Sequence, residues 1–196
     1  MQAHTGKTST IGHPMKTIGM NATLQVLAAS LLLGMLAPAN AQLLKYENRD
    51  EIYGAAAVSP ESTRQILKGI VEVCSKVGNK PRDASVQALA EWEQRHTLYF
   101  EENELIKKEM ITAAQKPGAS SQHKKFIEQL FAVTLPQSIK AQITAFTTPM
   151  ETVSDPGLKT SYCMSFAGSI TDGKWDLKNN DPVVAKFLDE RIDKRK

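Results

Sequence analysis

The residue with the most chemistry on offer is His96, which stands on one apolar stripe with Trp92, Tyr99 and Asn103. A histidine held among apolar neighbours near its working pKa can serve as general base, proton switch or ligand. The same stripe allows a plainer role, in which His96 and Asn103 are polar core residues that bond across helices and fix packing register. No acid or nucleophile stands at a spacing that completes a catalytic set around His96. Packing is therefore the expectation for it.

Glu93-x-x-His96 is half of a di-iron carboxylate signature, which needs a second Glu-x-x-His and two further glutamates. His123 has Ser120 where that second glutamate would stand. A haem bundle could draw axial ligands from His96 and one of Met110, Met150 or Met164, but there is no Cys-x-x-Cys-His attachment motif, and methionines in bundles usually fill core space. The oxygen-rich stretch Asp172–Asp181 lacks the alternating acids, sixth-position glycine and closing glutamate of a calcium loop. Asp172-Gly173 reads as a turn and Asp181 as a helix cap. Neither a metal nor a cofactor is expected. Trp175, an aromatic in a polar stretch, is either a partner anchor or a residue folded back on the core. Gly-x-Ser-x-Gly, His-Glu-x-x-His and a phosphate-cradling glycine loop are all missing from the sequence.

The elements that must position these residues are helical. Ser59-Pro60-Glu61 combines a hydroxyl cap, a first-turn proline and an acid at the positive end of the helix dipole. Leu67, Ile70, Cys74 and Val77 then share one face, and Gly78-Asn79 followed by Pro81 predicts the end of that helix. The longest element is expected from about Asp83 to Ala114. Its seam is Leu89, Trp92, His96, Tyr99, Asn103, Ile106 and Met110, and its flanks carry Glu91, Glu93, Arg95, Glu101, Glu102, Glu104, Lys107, Lys108 and Glu109 as a solvated surface.

Gln115–Ser121 reads as a loop, and Ser121 as the cap of a third helix with Phe126, Ile127, Leu130, Phe131 and Thr134 inward. Pro136 predicts a stop or kink near Leu135. Ile139, Ile143 and Phe146 continue to Thr147, where Thr148-Pro149 closes the segment. Ser154-Asp155-Pro156 starts the next, with Leu158, Tyr162, Cys163 and Phe166 inward. Gly168–Asp181 reads as a polar loop, and Asp181-Pro182 opens a terminal helix with Val184, Phe187, Leu188 and Ile192. The pattern predicts an all-α, single-domain bundle of five or six helices over 59–196, preceded by an arm, residues 42–58, without a clear period.

Residues 1–41 look like an export signal. Lys16 precedes the apolar run Val26–Leu36, and Ala39-Asn40-Ala41 supplies the small-x-small pattern of a cleavage site, so the mature chain is expected to start at Gln42. The run is too short to span a bilayer, and Met1, Met15 and Met20 are all possible starts. The leader holds two of the 24 basic residues and none of the 21 acidic ones, so its removal lowers the formal charge from +3 to +1. A near-neutral chain has no broad electrostatic reason to bind nucleic acid. Gln42 in place of a cysteine argues against a lipid anchor, and no glycosylation sequon follows residue 41. The expected address is the bacterial periplasm, with secretion as the alternative. There Cys74 and Cys163 are expected to pair, because their 89-residue spacing is not that of a redox-active Cys-x-x-Cys.

The functional expectation is a non-enzymatic protein that binds another envelope or secreted protein: an inhibitor, an immunity-type factor or an accessory subunit. Glu101, Glu102, Glu104 and the aromatics of the second helix are its first candidate face, with Trp175 beside them. One alternative is a ligand- or metal-binding bundle, or an enzyme, built on His96, Tyr99 and a nearby carboxylate. Another is a stress-responsive chaperone that opens below about pH 5 as carboxylates lose charge. The sequence leaves oligomeric state open.

Overall fold

The computed structural model describes residues 45–196, so the leader and the expected cleavage site before Gln42 lie outside the described residues. The described chain folds as α1 (Arg49–Ala56), α2 (Ser59–Cys74), α3 (Asn79–Gln115), α4 (Ser121–Gln129), a π-helical turn (Leu130–Thr134), α5 (Leu135–Thr152), α6 (Pro156–Thr171), a single turn α7 (Leu177–Asn180) and α8 (Pro182–Asp193). With α4, the π turn and α5 taken as one rod, and α7 left aside, this is an all-α bundle of six helices. It contains one disulfide, between Cys74 and Cys163.

The arm contains a helix that periodicity does not reveal. Asn48 caps α1, its Oδ1 accepting the backbone N–H groups of Asp50 and Glu51 at 3.0 Å each, while Glu51 Oε2 accepts the N–H of Glu47 at 2.8 Å. This reciprocal arrangement satisfies donors that the first turn leaves free. Ala55, Ala56, Ala57 and Val58 are buried, so the arm belongs to the core. Because α1 runs almost directly into α2, Val58 takes the cap position of α2 and Ser59 is its first helical residue. The hydroxyl cap expected at Ser59 does not form.

Prolines deflect the chain less than expected. Pro81 lies in the first turn of α3, where its missing N–H removes no helical bond. Ser120 rather than Ser121 caps α4, accepting the N–H of His123 at 3.1 Å. Pro136 does not end the helix that follows. The π turn immediately before it widens the spiral, with the Leu135 N–H reaching back to the Leu130 carbonyl. That local rearrangement accommodates a proline the α-helical ladder would reject. α5 then continues past Thr147 to Thr152 with Pro149 inside it. Leu158, expected to face inward, is 61% exposed, as part of an exposed start of α6 that also includes Pro156 and Gly157. The expected loop at Gly168 is helical to Thr171. It turns at Gly173, whose φ of 73° suits glycine, and then forms α7.

α3 is the spine, packing on α6 and α2 along one half and on α8, α1 and α4 along the other, while α2 also packs on α5. Two apolar clusters result. The first joins Ile66, Leu67, Ile70 and Cys74 to Trp92, Cys163, Phe166 and Ile170. The second joins Ala56 and Val58 to Tyr99, Ile106, Val184, Leu188 and Ile192. Cys74 and Cys163 are fully buried, with Cα atoms 5.5 Å apart, a separation a disulfide accepts without moving the backbone. Gly69 is where α2 meets α5 most closely: a Cβ there would stand 2.5 Å from Ile143 Cδ1.

Candidate functional site

His96 lies on α3 between Trp92 of the first cluster and Tyr99 of the second. It is buried, and its ring stacks on Trp92 with centroids 4.4 Å apart. Nδ1 lies 2.8 Å from the Trp92 carbonyl, which can only accept, so Nδ1 carries the proton. Nε2 accepts the N–H of Leu177, the first residue of α7, at 3.3 Å. Burial pushes the His96 pKa below its ordinary value, outweighing the Trp92 carbonyl and the Asp176 carboxylate 3.8 Å away, both of which raise it. A neutral imidazole with both nitrogens engaged seats α7 on the spine.

Trp175 returns to the core rather than reaching outward. It packs edge-on against Phe166, at 5.7 Å between centroids, and beside Phe146 at 5.4 Å, and its Nε1 donates to Ser169 Oγ at 2.9 Å. Its carbonyl accepts the Trp92 indole N–H at 3.1 Å. Arg95 closes the same corner, donating to the Ile170 carbonyl and to Asp176 Oδ1, each at 3.1 Å. Tyr99 donates to Asp189 of α8 at 2.8 Å, and Asn103 Nδ2 donates to the Ala56 carbonyl at 2.7 Å. The structure thus keeps Trp92, His96, Tyr99 and Asn103 on one seam, as the spacing predicts. All four are buried in the folded protein, where no partner can touch them without opening the bundle.

Glu102, expected on the solvated flank, is fully buried. Arg191 Nε donates to its Oε1 at 2.5 Å, and Arg195 Nη2 stands 2.5 Å from its Oε2. Arg191 also pairs with Glu109 at 2.8 Å, and Glu109 accepts the Tyr53 hydroxyl at 2.7 Å. The bond from Tyr53 is the main influence holding the Glu109 carboxyl below its usual range. Tyr46 donates to Asp181, which caps α8 by accepting the Val184 N–H at 3.0 Å. Burial raises the pKa of both Tyr46 and Asp181. α8 is therefore tied to the spine and the arm through ionised and phenolic groups as well as apolar ones. Sequence reasoning missed this latch because Glu102 sits one position off the seam and its arginines lie 89 and more residues away.

Two depressions flank the π turn. A groove of about 350 Å³ opens between the end of α3 and α4, floored by Ile111, Ala114, Ile127 and Phe131 with Lys124 and Glu128 at its edge. A smaller pocket of about 90 Å³ lies on the other side of Phe131, against Asn103. Along the chain, residues 110–150 contain one acid, Glu128, against Lys116, Lys124, Lys125 and Lys140. Among the described residues no cluster of three or more His, Cys, Asp or Glu could hold a metal ion, and no helix is long and apolar enough to cross a membrane. No family model matches the chain, and no curated protein or solved structure matches it either.

Proposed function

We propose that this chain is an exported helical protein of the bacterial envelope that acts by binding another envelope or secreted protein. The observation that carries the reading is the groove between α3 and α4, with an open apolar floor of Ile111, Ala114, Ile127 and Phe131. Apolar anchors entering such a groove supply most of the energy of a small interface, and the surrounding polar rim supplies orientation. The groove's edge carries Lys124 and Glu128, and Lys116 and Lys125 lie near them in sequence, an excess of positive charge in this stretch of chain that favours an acidic partner surface. The leader and the buried Cys74–Cys163 disulfide support the envelope address, because such pairs form and persist where thiols oxidise.

The alternative built on His96 has less support, since both ring nitrogens are occupied by backbone partners. The test is affinity capture from the native organism's envelope fraction, with Ala132→Glu as the comparison. Ala132 is exposed on the groove wall, so the substitution puts a charge at the floor without disturbing the core. A stoichiometric partner that the variant holds at least about tenfold more weakly supports the reading. Equal capture by both proteins refutes the groove. Intact mass showing residues 1–41 retained, or free thiols at both cysteines, refutes the address.

A further inference from the structure

α4 is the most weakly anchored of the helices longer than a single turn. Between Ala114 and Ile139 only Ile127 is buried. Apart from the π turn that continues it, α4 packs on α3. Among the described residues its side chains form no hydrogen bond or ion pair with another element, and its polar contact is its own cap, where Ser120 accepts the His123 N–H. By contrast α1, α6 and α8 are each bonded to α3: Tyr53 to Glu109, Arg95 to the Ile170 carbonyl, and Tyr99 to Asp189. The contact between α4 and α3 is also incomplete, because the groove of about 350 Å³ lies between them over Ile111 and Ala114. Space left between two helices forfeits the dispersion contacts that would hold them together.

Both ends of α4 are suited to bending. On one side Gly118 has a φ of 88°, and a Cβ there would meet nothing within 4 Å, so the loop turns in open space. On the other side the helical ladder is interrupted twice. The π turn Leu130–Thr134 widens the spiral, and Pro136 has no N–H to offer the Ala132 carbonyl four residues back. Helical rods bend at such turns and at prolines. Beyond them α5 is fixed, with Ile139 and Met150 in the first apolar cluster and the Phe146 carbonyl accepting the Tyr162 hydroxyl. A helix with one buried anchor, set between a glycine loop and an interrupted rod, opens at the lowest free-energy cost in such a fold.

We propose that α4 is a flap, hinged at Gly118 and at the π turn, that swings off α3 while the rest of the bundle stays folded. Closed, it faces Ala114, which is 4% exposed; open, it bares Ile111 and Ala114 as an apolar seat on α3. The inference rests on the functional reading only for what enters the groove. The motion is tested on the free protein, so its failure and failure of partner capture are separate results. Both native cysteines are in the disulfide, so Ala114→Cys carries a sole free thiol. Its alkylation by iodoacetamide is compared with that of Ala88→Cys, at a position 3% exposed on the other half of α3. The Ala114→Cys thiol is expected to react at least about a hundredfold faster, and at least about tenfold faster again with Ile127→Ala added, which leaves the Ala88→Cys rate unchanged. In the wild-type protein, amides of residues 125–129 should be protected from hydrogen exchange at least about a hundredfold less than those of residues 66–71, with little urea dependence below the unfolding transition. This second measurement decides the matter if a cysteine variant fails to fold. Equal alkylation of the two thiols overturns the proposal, as does an Ala114→Cys rate indifferent to Ile127→Ala, which would mean entry through the groove without motion. So does exchange of the α4 amides only with global unfolding.

Discussion

Removing the positive side of the Glu102 cluster should cost much more stability than removing the negative side. Glu102 is fully buried, whereas the side chains of Arg191 and Arg195 are 26% and 44% exposed. Arg191→Met with Arg195→Met strands a carboxylate in the core, a change that costs about 3–5 kcal/mol. Glu102→Gln leaves two cations that can turn to water, one of them still paired with Glu109 at 2.8 Å. Its cost is about 1–2 kcal/mol, that of a lost charged hydrogen bond in a partly solvated setting. For a chain of this size each kcal/mol moves the melting temperature by about 2–4 °C, so the arginine pair variant should melt about 6–20 °C low and Glu102→Gln about 2–8 °C low. Glu102→Leu added to the two methionines replaces a buried ionic cluster with apolar volume and should return stability close to wild type. Urea unfolding followed by circular dichroism measures all three, provided the slope m is unchanged. If Glu102→Gln proves as damaging as the double arginine variant, or if the triple variant gains nothing on it, burial of this carboxylate is not what governs α8.

Histidine 96 should make the fold acid-sensitive. Its pKa is depressed in the folded state, so protons bind the unfolded chain first, and stability present above about pH 6.5 is lost as pH falls toward the folded value. His96→Asn should remove that slope and cost about 1–3 kcal/mol at pH 8, because the Leu177 N–H loses its acceptor. A slope unchanged in the variant would assign acid sensitivity elsewhere. At the other end of the scale, all four tyrosines of the chain, Tyr46, Tyr53, Tyr99 and Tyr162, have raised pKa values, chiefly from burial, with Tyr53 pushed up to about 12. Their neutral forms stabilise the fold below about pH 10, and that contribution is lost as pH rises beyond it. Ultraviolet titration of the native protein should therefore show no phenolate step near pH 10, and one tyrosine ionising there would contradict the packing described for it.

The helical class and the seam were legible because a period of three and four residues survives in Leu89, Trp92, His96, Tyr99, Asn103 and Ile106, all of them buried. The disulfide was legible from cysteine count and the expected export signal, and Cys74 from its place on the apolar face of α2. α1 had a signal that periodicity overlooks: Asn48 followed three residues later by Glu51 is a capping pattern, and it marks a helix even where Gly54 and three alanines leave no apolar stripe. Other departures have a common cause. Pro136 and Pro149 read as stops because the rule for prolines counts local bonds, while the rod is held by side chains such as Ile139 and Met150 packed on α2 and α6. Glu102 read as solvated because charge predicts exposure until a partner is known, and its partners come from the last helix.

The polar residues of α3 occupy a particular place in this architecture. Trp92 belongs to the cluster closed by the disulfide and Tyr99 to the cluster closed by α8, so His96 stands where one gives way to the other. Asn103 and Glu102 follow one turn and more along, and each is bound to a different terminal element: Asn103 to the α1–α2 junction, Glu102 to α8. An apolar side chain at any of the three would leave the spine free to slide or rotate against its neighbours, since dispersion contacts tolerate small shifts and hydrogen bonds do not. His96, Asn103 and Glu102 thus set the register of α7, α1 and α8 respectively. The covalent bond does the equivalent work for α2 and α6 at the opposite end. One end of the bundle is consequently held by a link that denaturation cannot break, and the other by links that protons can, so acid should loosen α8 and the arm before it disturbs the disulfide-bonded core.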